Sequence, residues 1–291
     1  TTGSAQVVTS TDATYNIGAN SYGFVNTGSG NTLNISGGTA TLTDNGVFVY
    51  SSDTTGNITS DTKITSTGST GSNFGIFSAG TVDNKGDITF TNGTGNVGVY
   101  AINNGNITNS GNITLGASTS SSRSIGAIAN VGTVNNTGKI TVNGQYGIGA
   151  YSSGSGSTIN NAGDITLTGD DTIGAYGANA SNVNLSAGKL SLTGNKSTGY
   201  YLDAGTGSTI ASGAKVDVTG EESNGVYANN GSSLTYDGDT TVDGDAAYGL
   251  IADGGSTVNA TGGTLTVKGT SGINGTSSGA NTNRGSAALV V

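Results

Sequence analysis

Residues 135–151 read NNTGKITVNGQYGIGAY, and residues 160–176 repeat the phrase as NNAGDITLTGDDTIGAY. Such self-similarity, with a period between about 20 and 50 residues, is typical of proteins built from stacked repeats. A glycine between apolar residues recurs through nearly the whole chain, and we take it as the anchor of each repeat, with a mean period of about 25 residues. The anchors are Gly23, Gly46, Gly75, Gly98, Gly126, Gly147, Gly174, Gly199, Gly225, Gly249 and, more weakly, Gly272.

Each repeat contains three short apolar phrases, as GAIA, TVNN and KITV do between residues 126 and 142. Their short length, their alternating pattern and the Gly, Asn and Ser between them favour β-strands over helices. Each repeat is therefore predicted to be one coil of a parallel β-solenoid, with strands of successive coils about 4.8 Å apart. We predict one elongated all-β domain over residues 1–291, with roughly eleven coils. The clear coils cover about 20–270, and residues 1–19 and 271–291 form partial or edge coils.

Alternation along the second and third phrases assigns their side chains to the two faces of a sheet. In the third phrase, the predicted core positions are Ile88, Phe90, Ile113, Leu115, Ile140, Val142, Ile165, Leu167, Leu190, Leu192, Val216, Val218, Leu265 and Val267, with Thr or Ser facing outward between most pairs. In the second phrase, they are Val82, Ile107, Val134, Ile159, Val183, Ile210, Leu234 and Val258.

Asparagine recurs two residues after the core position of the second phrase, on the same side of the strand. Stacked coils would place these side chains above one another, so that each amide bonds its neighbour in an internal ladder at a corner. Asparagine is also a common turn residue, and that simpler interpretation is equally compatible with a solenoid. The predicted ladder residues are Asn84, Asn109, Asn136 and Asn161.

The first phrase predicts an aromatic stripe on the surface. If the residues flanking each anchor glycine point inward, as we expect for Phe74 and Ile76, the next residue points outward. Stacked aromatic rings stabilise one another without any ligand, but exposed rings also suit a sugar, a partner protein or a second copy of the chain. The candidate partner-binding stripe consists of Phe48, Phe77, Tyr100, Tyr176, Tyr201 and Tyr227.

The composition argues against several functions. The chain has 18 acidic and 9 basic residues, a net charge of -9, which disfavours nucleic acid because phosphate binding needs clustered Lys and Arg. It lacks cysteine, so disulfides and thiolate sites are absent. No apolar run is long enough for a membrane-spanning helix. We expect no cofactor and no membrane span within this chain.

Catalysis and metal binding are also not expected. The chain has no histidine, and its acids are scattered along turns, whereas a polysaccharide-cleaving site needs converging titratable groups. The acidic run at 237–245 is interpreted as a solvated turn rather than a calcium site. Lys139, Asp164 and Lys189 are predicted to stack with alternating charge. Outward threonines leave ice binding as a further, weaker alternative.

Three segments resemble the passenger regions of Gram-negative type V autotransporters, especially the long adhesins of fusobacteria. They are NFGIFSAGTVDNKGDITF at 73–90, NVGVYAINNGNITNSGNITL at 96–115 and QYGIGAY at 145–151. The resemblance covers about residues 20–270 and implies a right-handed parallel β-helix displayed outside the cell. No receptor-binding motif of these adhesins matches particular residues here.

The resemblance implies an extracellular, non-enzymatic adhesive stalk whose partner is a host-cell or bacterial surface protein or glycan. Such a stalk would be anchored to the outer membrane through a region outside this sequence, or would be secreted. The main alternative is a structural filament subunit that stacks end to end or packs laterally, because open strand edges recruit further strands. A polysaccharide-acting enzyme is a second, weaker alternative.

Overall fold

The computed structural model of this protein describes residues 5–268 and the strand at 286–290. In these residues the backbone forms three parallel sheets of eleven strands each, and consecutive strands of the chain enter the three sheets in turn. Every strand pairs with its counterpart one repeat away along the chain. The chain is thus a parallel β-solenoid, which confirms the predicted fold class. The anchor Gly272 and residues 271–285 of the predicted edge coil lie outside the described residues.

The strands are as follows. Sheet A contains Val7–Ser10, Thr32–Ile35, Asn57–Ser60, Thr81–Asn84, Asn106–Asn109, Thr133–Asn136, Thr158–Asn161, Asn182–Leu185, Ser208–Ile210, Ser233–Tyr236 and Thr257–Ala260. Sheet B contains Thr14–Ile17, Thr39–Leu42, Lys63–Ser66, Ile88–Phe90, Ile113–Leu115, Ile140–Val142, Ile165–Leu167, Gly188–Leu192, Ala214–Val218, Asp239–Val242 and Leu265–Val267. Sheet C contains Tyr22–Asn26, Val47–Ser51, Phe74–Ser78, Val97–Ile102, Ile125–Asn130, Ile148–Ser153, Ile173–Ala178, Thr198–Asp203, Asn224–Asn229, Tyr248–Ala252 and Ser286–Val290.

Sheet B has the side-chain arrangement that alternation predicts. Its inward positions stack in register, as Ile88 on Ile113 and Ile113 on Ile140 do, and these side chains are fully buried. The outward threonines between them are half-buried. Burial of a side chain of this size contributes about 1.5 to 3 kcal/mol, so these columns are a principal source of stability.

The four predicted asparagines of sheet A form an internal ladder. Nδ2 of Asn84 donates to Oδ1 of Asn109 at 2.7 Å, and the same bond joins Asn109 to Asn136 at 2.8 Å and Asn136 to Asn161 at 2.7 Å. The second Nδ2 proton of each amide is donated to the carbonyl oxygen of the glycine two residues on. All four side chains are buried, so the ladder pairs polar groups that water does not reach, apart from Oδ1 of Asn84 at its end, which has no partner among the described residues.

Ile210 is a fully buried core residue, as predicted, but it lies in a different column from the one expected. Ile210 pairs with Leu185 and therefore continues the asparagine column, whereas Ser208 takes the predicted core position between Val183 and Leu234. The physical reason is a large ring on sheet C: Tyr200 is fully buried, and its hydroxyl donates to the carbonyl oxygen of Val183. The small side chain of Ser208 leaves room for that ring.

In two coils, the glycine predicted as the anchor lies two residues before the anchor position of the structure. In sheet C, Gly149 aligns with Gly126 and Gly174, so Gly147 lies before the strand rather than at its anchor. Gly46 likewise lies before its strand, and Phe48 occupies the anchor position. Both glycines are buried at a corner of the solenoid.

Phe48 is therefore a core residue and not a member of the surface stripe. Its side chain is 0% exposed, and its ring lies 5.5 Å from that of Phe24 and 6.0 Å from that of Tyr15. Ala40 stands in the column of sheet B where the next coil has Ile64, so the core has room for the ring at this level.

In most coils the residue before the anchor glycine is not buried as predicted but faces outward or lies at the rim, although Val97 is buried. Tyr22 is 56% exposed, and Phe74 is half-buried, while Ile76, two residues after Phe74, is fully buried. A Cβ on the intervening Gly75 would lie 2.7 Å from Cδ1 of Ile88, so the glycine itself faces the core. Two successive inward residues, Gly75 and Ile76, therefore break the alternation.

Candidate functional site

An aromatic column runs along the outer face of sheet C. Its members pair in register along the sheet and are half-buried, apart from Ile128, which is buried. Five of the six predicted stripe residues lie in it, and the sequence-based assignment missed Tyr50 and Tyr151 because of the displaced glycines. The aromatic column consists of Tyr50, Phe77, Tyr100, Ile128, Tyr151, Tyr176, Tyr201 and Tyr227.

Ile128 divides the column into two segments. In the longer one, the rings of Tyr176 and Tyr201 are stacked, with centroids 5.0 Å apart and planes at 17°. Tyr151 and Tyr227 continue this stack at 5.0 Å and 5.2 Å. In the other segment, a second row formed by Tyr22 and Phe74 widens the aromatic surface.

The stacking limits what the column can bind. Sugars contact aromatic residues through the open face of a ring, but in the longer segment the faces of the inner rings, Tyr176 and Tyr201, are covered by the rings of the neighbouring coils. What remains exposed is a row of ring edges, and the hydroxyls are also partly engaged. The Tyr227 hydroxyl donates to Oδ2 of Asp253 at 3.2 Å, and the Tyr100 hydroxyl accepts from Nδ2 of Asn130 at 3.2 Å. Such a surface suits a protein partner better than a sugar ring.

Packing in the column changes the acidity of its tyrosines. Burial, together with the neighbouring Tyr201 and Asp203, raises the pKa of Tyr176 to about 12. Burial likewise raises the pKa of Tyr201 and of Tyr227. The folded state therefore retains these protons at a pH where an unfolded chain, with a tyrosine pKa of about 10, has begun to lose them.

Alkaline pH is expected to destabilise the solenoid. The stability that these tyrosines contribute is complete below about pH 10, and it is lost as the pH rises through their raised folded-state values. The melting temperature should fall steadily between about pH 10 and about pH 12, and tyrosinate absorbance should show a late-ionising fraction. A single transition near pH 10 for all twelve tyrosines, with an unchanged melting temperature, would contradict the packing described.

The acidic turns act as backbone caps. Oδ1 of Asp170 accepts from the amide of Asn195 at 2.8 Å, and Oδ1 of Asp239 accepts from the amide of Thr264 at 3.1 Å, in each case one coil further along. Within residues 5–268, no group of three or more acidic side chains is close enough to hold a metal ion.

Lys139, Asp164 and Lys189, predicted to stack with alternating charge, make other contacts in the structure. Oδ1 of Asp164 accepts from the backbone amide of Lys189 at 2.8 Å, and the Lys189 ammonium pairs with Oδ2 of Asp217 at 2.6 Å. Both partners of this ion pair are partly exposed, so it contributes at most about 1 kcal/mol. These contacts help to set the register between coils.

No helix able to span a membrane occurs in the part of the chain that the structure describes. Comparison of the chain with protein-family models, with curated proteins and with solved structures gives no match in any of the three.

Proposed function

We propose that this chain is a non-enzymatic, extracellular adhesive stalk that attaches a bacterium to a host-cell or bacterial surface protein through the aromatic column. The observation that carries the proposal is the column itself: seven half-buried rings lie on one face of the solenoid. Tyrosine is enriched at the energetic centres of protein interfaces, because it combines a large apolar area with a polar tip. The resemblance to autotransporter passengers favours the same role.

The three continuous sheets suit a stalk. Ten strand spacings of about 4.8 Å give a rod about 50 Å long, and every inner strand is hydrogen-bonded on both sides. Solenoids of this kind bury one continuous core and make contacts only between neighbouring repeats. A partner bound to the column would therefore be held at a fixed distance and orientation along the rod.

Self-assembly is the second candidate. The row of ring edges on sheet C could pack against the same row of another copy, which would make the chain a filament or bundle subunit. The two proposals differ in the concentration dependence of the molecular mass, because only self-assembly makes it rise.

Replacement of Tyr100, Tyr176 and Tyr201 together by serine is expected to reduce attachment of protein-coated beads to cells by at least about tenfold. Loss of interface tyrosines at an energetic centre costs about 2 kcal/mol or more. The measurement is the number of beads retained on a cell layer under flow. The variant must keep its β circular dichroism, because the stacked rings also stabilise one another.

The matched control is serine at Thr89, Thr114 and Thr166, which face outward on sheet B. These changes leave sheet C untouched and should not alter bead retention. Equal retention of the tyrosine variant and the wild type, with both folded, would remove the aromatic column as the contact surface.

A further inference from the structure

A groove of about 330 Å³ runs beside the aromatic column, at the edge where sheet C begins. Its floor consists of outward residues that precede the anchor glycines, including Ile173, Thr198 and Asn224, which pair along sheet C. Tyr201 and Tyr227 form the wall on the side of the column. We call it the corner groove.

The opposite wall comes from the turn before sheet C. Arg123, Tyr146, Asp171 and Lys196 occupy this turn in four successive coils, each two residues before the first residue of its strand. The last three have a left-handed backbone, with φ of 61°, 55° and 55°. The groove therefore follows the solenoid axis from the coil of Arg123 to the coil of Asn224, about 19 Å at the strand spacing.

The polar groups of the corner groove are mixed and balanced in charge. Among the lining residues, Arg123 and Lys196 supply two positive charges and Asp171 supplies one negative charge. Glu222, outside the lining, offsets the second positive charge, because its carboxylate lies 3.9 Å from the Lys196 ammonium. The Arg123 guanidinium lies 5.9 Å from the ring centre of Tyr146, and Asp171 accepts from Nε2 of Gln145 at 3.0 Å. Donors and acceptors alternate along the wall, above a floor that is apolar at Ile173 and polar at Thr198 and Asn224.

This arrangement indicates the chemistry of the ligand. A polyanion would need an excess of cationic groups, which the balanced charges do not provide. An extended peptide normally binds by pairing with an open strand edge, but the strands at this groove already pair on both sides. A hydroxyl-rich chain needs both donors and acceptors and no net charge, and the corner groove offers both.

We propose that the corner groove binds an extended, neutral glycan lying parallel to the solenoid axis. This inference rests on the proposed adhesive function and gives it a second ligand class beside the protein partner of the column. The glycan would hydrogen-bond to Asp171, Lys196 and Asn224 and lay an apolar face against Ile173, with Tyr201 and Tyr227 bounding the groove on one side.

The test titrates the whole chain with cellohexaose, mannohexaose and chitohexaose, and with hexagalacturonate as an anionic comparison, by isothermal calorimetry. At least one neutral probe should bind, and more tightly than hexagalacturonate. Asn224→Ala and Lys196→Asn should each weaken that binding by about threefold to tenfold, the loss expected for one hydrogen bond. Asparagine is chosen at 196 because it tolerates the left-handed backbone.

The matched control is Asn34→Ala, which removes an outward asparagine on sheet A and should leave binding unchanged. No binding of any neutral probe, tighter binding of hexagalacturonate, or equal affinity of the groove variants and the wild type would each overturn the inference. Bead attachment tests the adhesive function separately. If beads attach but no glycan binds, the adhesive function is supported and the corner groove is not a glycan site. If a glycan binds but beads do not attach, the glycan site is supported and the adhesive function is not.

Discussion

Replacement of Asn136 by alanine is expected to lower the free energy of unfolding by about 3 kcal/mol. The change leaves one Nδ2 proton of Asn109 and Oδ1 of Asn161 without a partner, both in the dry interior. Each orphaned buried polar group costs about 1 to 3 kcal/mol. Denaturant unfolding measures the total, and native-state hydrogen exchange should show lost protection concentrated in Thr133–Asn136 and Thr158–Asn161.

The adjacent residue provides the control. Asn135 faces the other way on the same strand, where it donates to Asn106 at 3.1 Å and accepts from Asn160 at 2.9 Å, in a half-exposed position. Water can replace those bonds, so Asn135→Ala should cost less than about 1 kcal/mol. Equal effects of the two substitutions would mean that the internal ladder adds nothing beyond an ordinary turn residue.

Replacement of Gly126 by alanine is expected to destabilise the solenoid by about 3 kcal/mol. A Cβ at this position would overlap Cγ2 of Ile140 and would lie only 2.6 Å from the carbonyl oxygen of Gly149. Neither group can move without disturbing the sheet to which it belongs, and forcing extra atoms into a packed core costs about 1 to 3 kcal/mol or more. The midpoint of denaturant unfolding measures the effect.

Gly18→Ala is the matched control, since the nearest heavy atom to a Cβ there is Oγ of Ser21 at 3.8 Å, and the residue is exposed. This substitution should be neutral or slightly stabilising, because alanine restricts the unfolded chain. A Gly126→Ala variant as stable as Gly18→Ala would show that the close approach of sheets C and B at the anchor is wrong.

The parts of the fold that the sequence predicts well are those where one period applies without interruption. From Ile88 to Leu167 in sheet B, large apolar residues alternate with threonine at a constant register, so the core columns there could be assigned residue by residue. The asparagine ladder follows from the same regularity, because Asn84 to Asn161 recur at one position in four successive coils.

The errors occur where two residues two positions apart compete for one role. Gly147 and Gly149 both lie next to an apolar residue, so either could be the anchor. Only the alignment of IGAY at 148–151 with IGAY at 173–176 shows that Gly149 is the anchor. The residues next to Phe48 in the sequence do not indicate that it is buried. Its burial depends on the small size of Ala40, which lies in another sheet. STI at 208–210 repeats STI at 157–159, yet Ile210 pairs with Leu185 and not with Val183, because the buried Tyr200 ring needs the space beside Ser208.

The candidate site was less predictable than the fold. Alternation finds an outward aromatic row, but the angle between neighbouring rings, and hence the covering of their faces, depends on side-chain packing. The corner groove was not predicted, because its residues Arg123, Asp171, Lys196 and Asn224 come from separate turns and strands and share no motif. Its only sequence signal is the common turn position, which becomes visible once the anchors are correctly aligned.

Analytical ultracentrifugation of the purified chain at increasing concentration, with negative-stain electron microscopy of the same samples, tests the adhesive stalk most directly. We expect monomers at every concentration, seen as discrete rods about 50 Å long, the length of ten strand spacings. Fibres, or a molecular mass that rises with concentration, would contradict the stalk and make self-assembly the function of this solenoid.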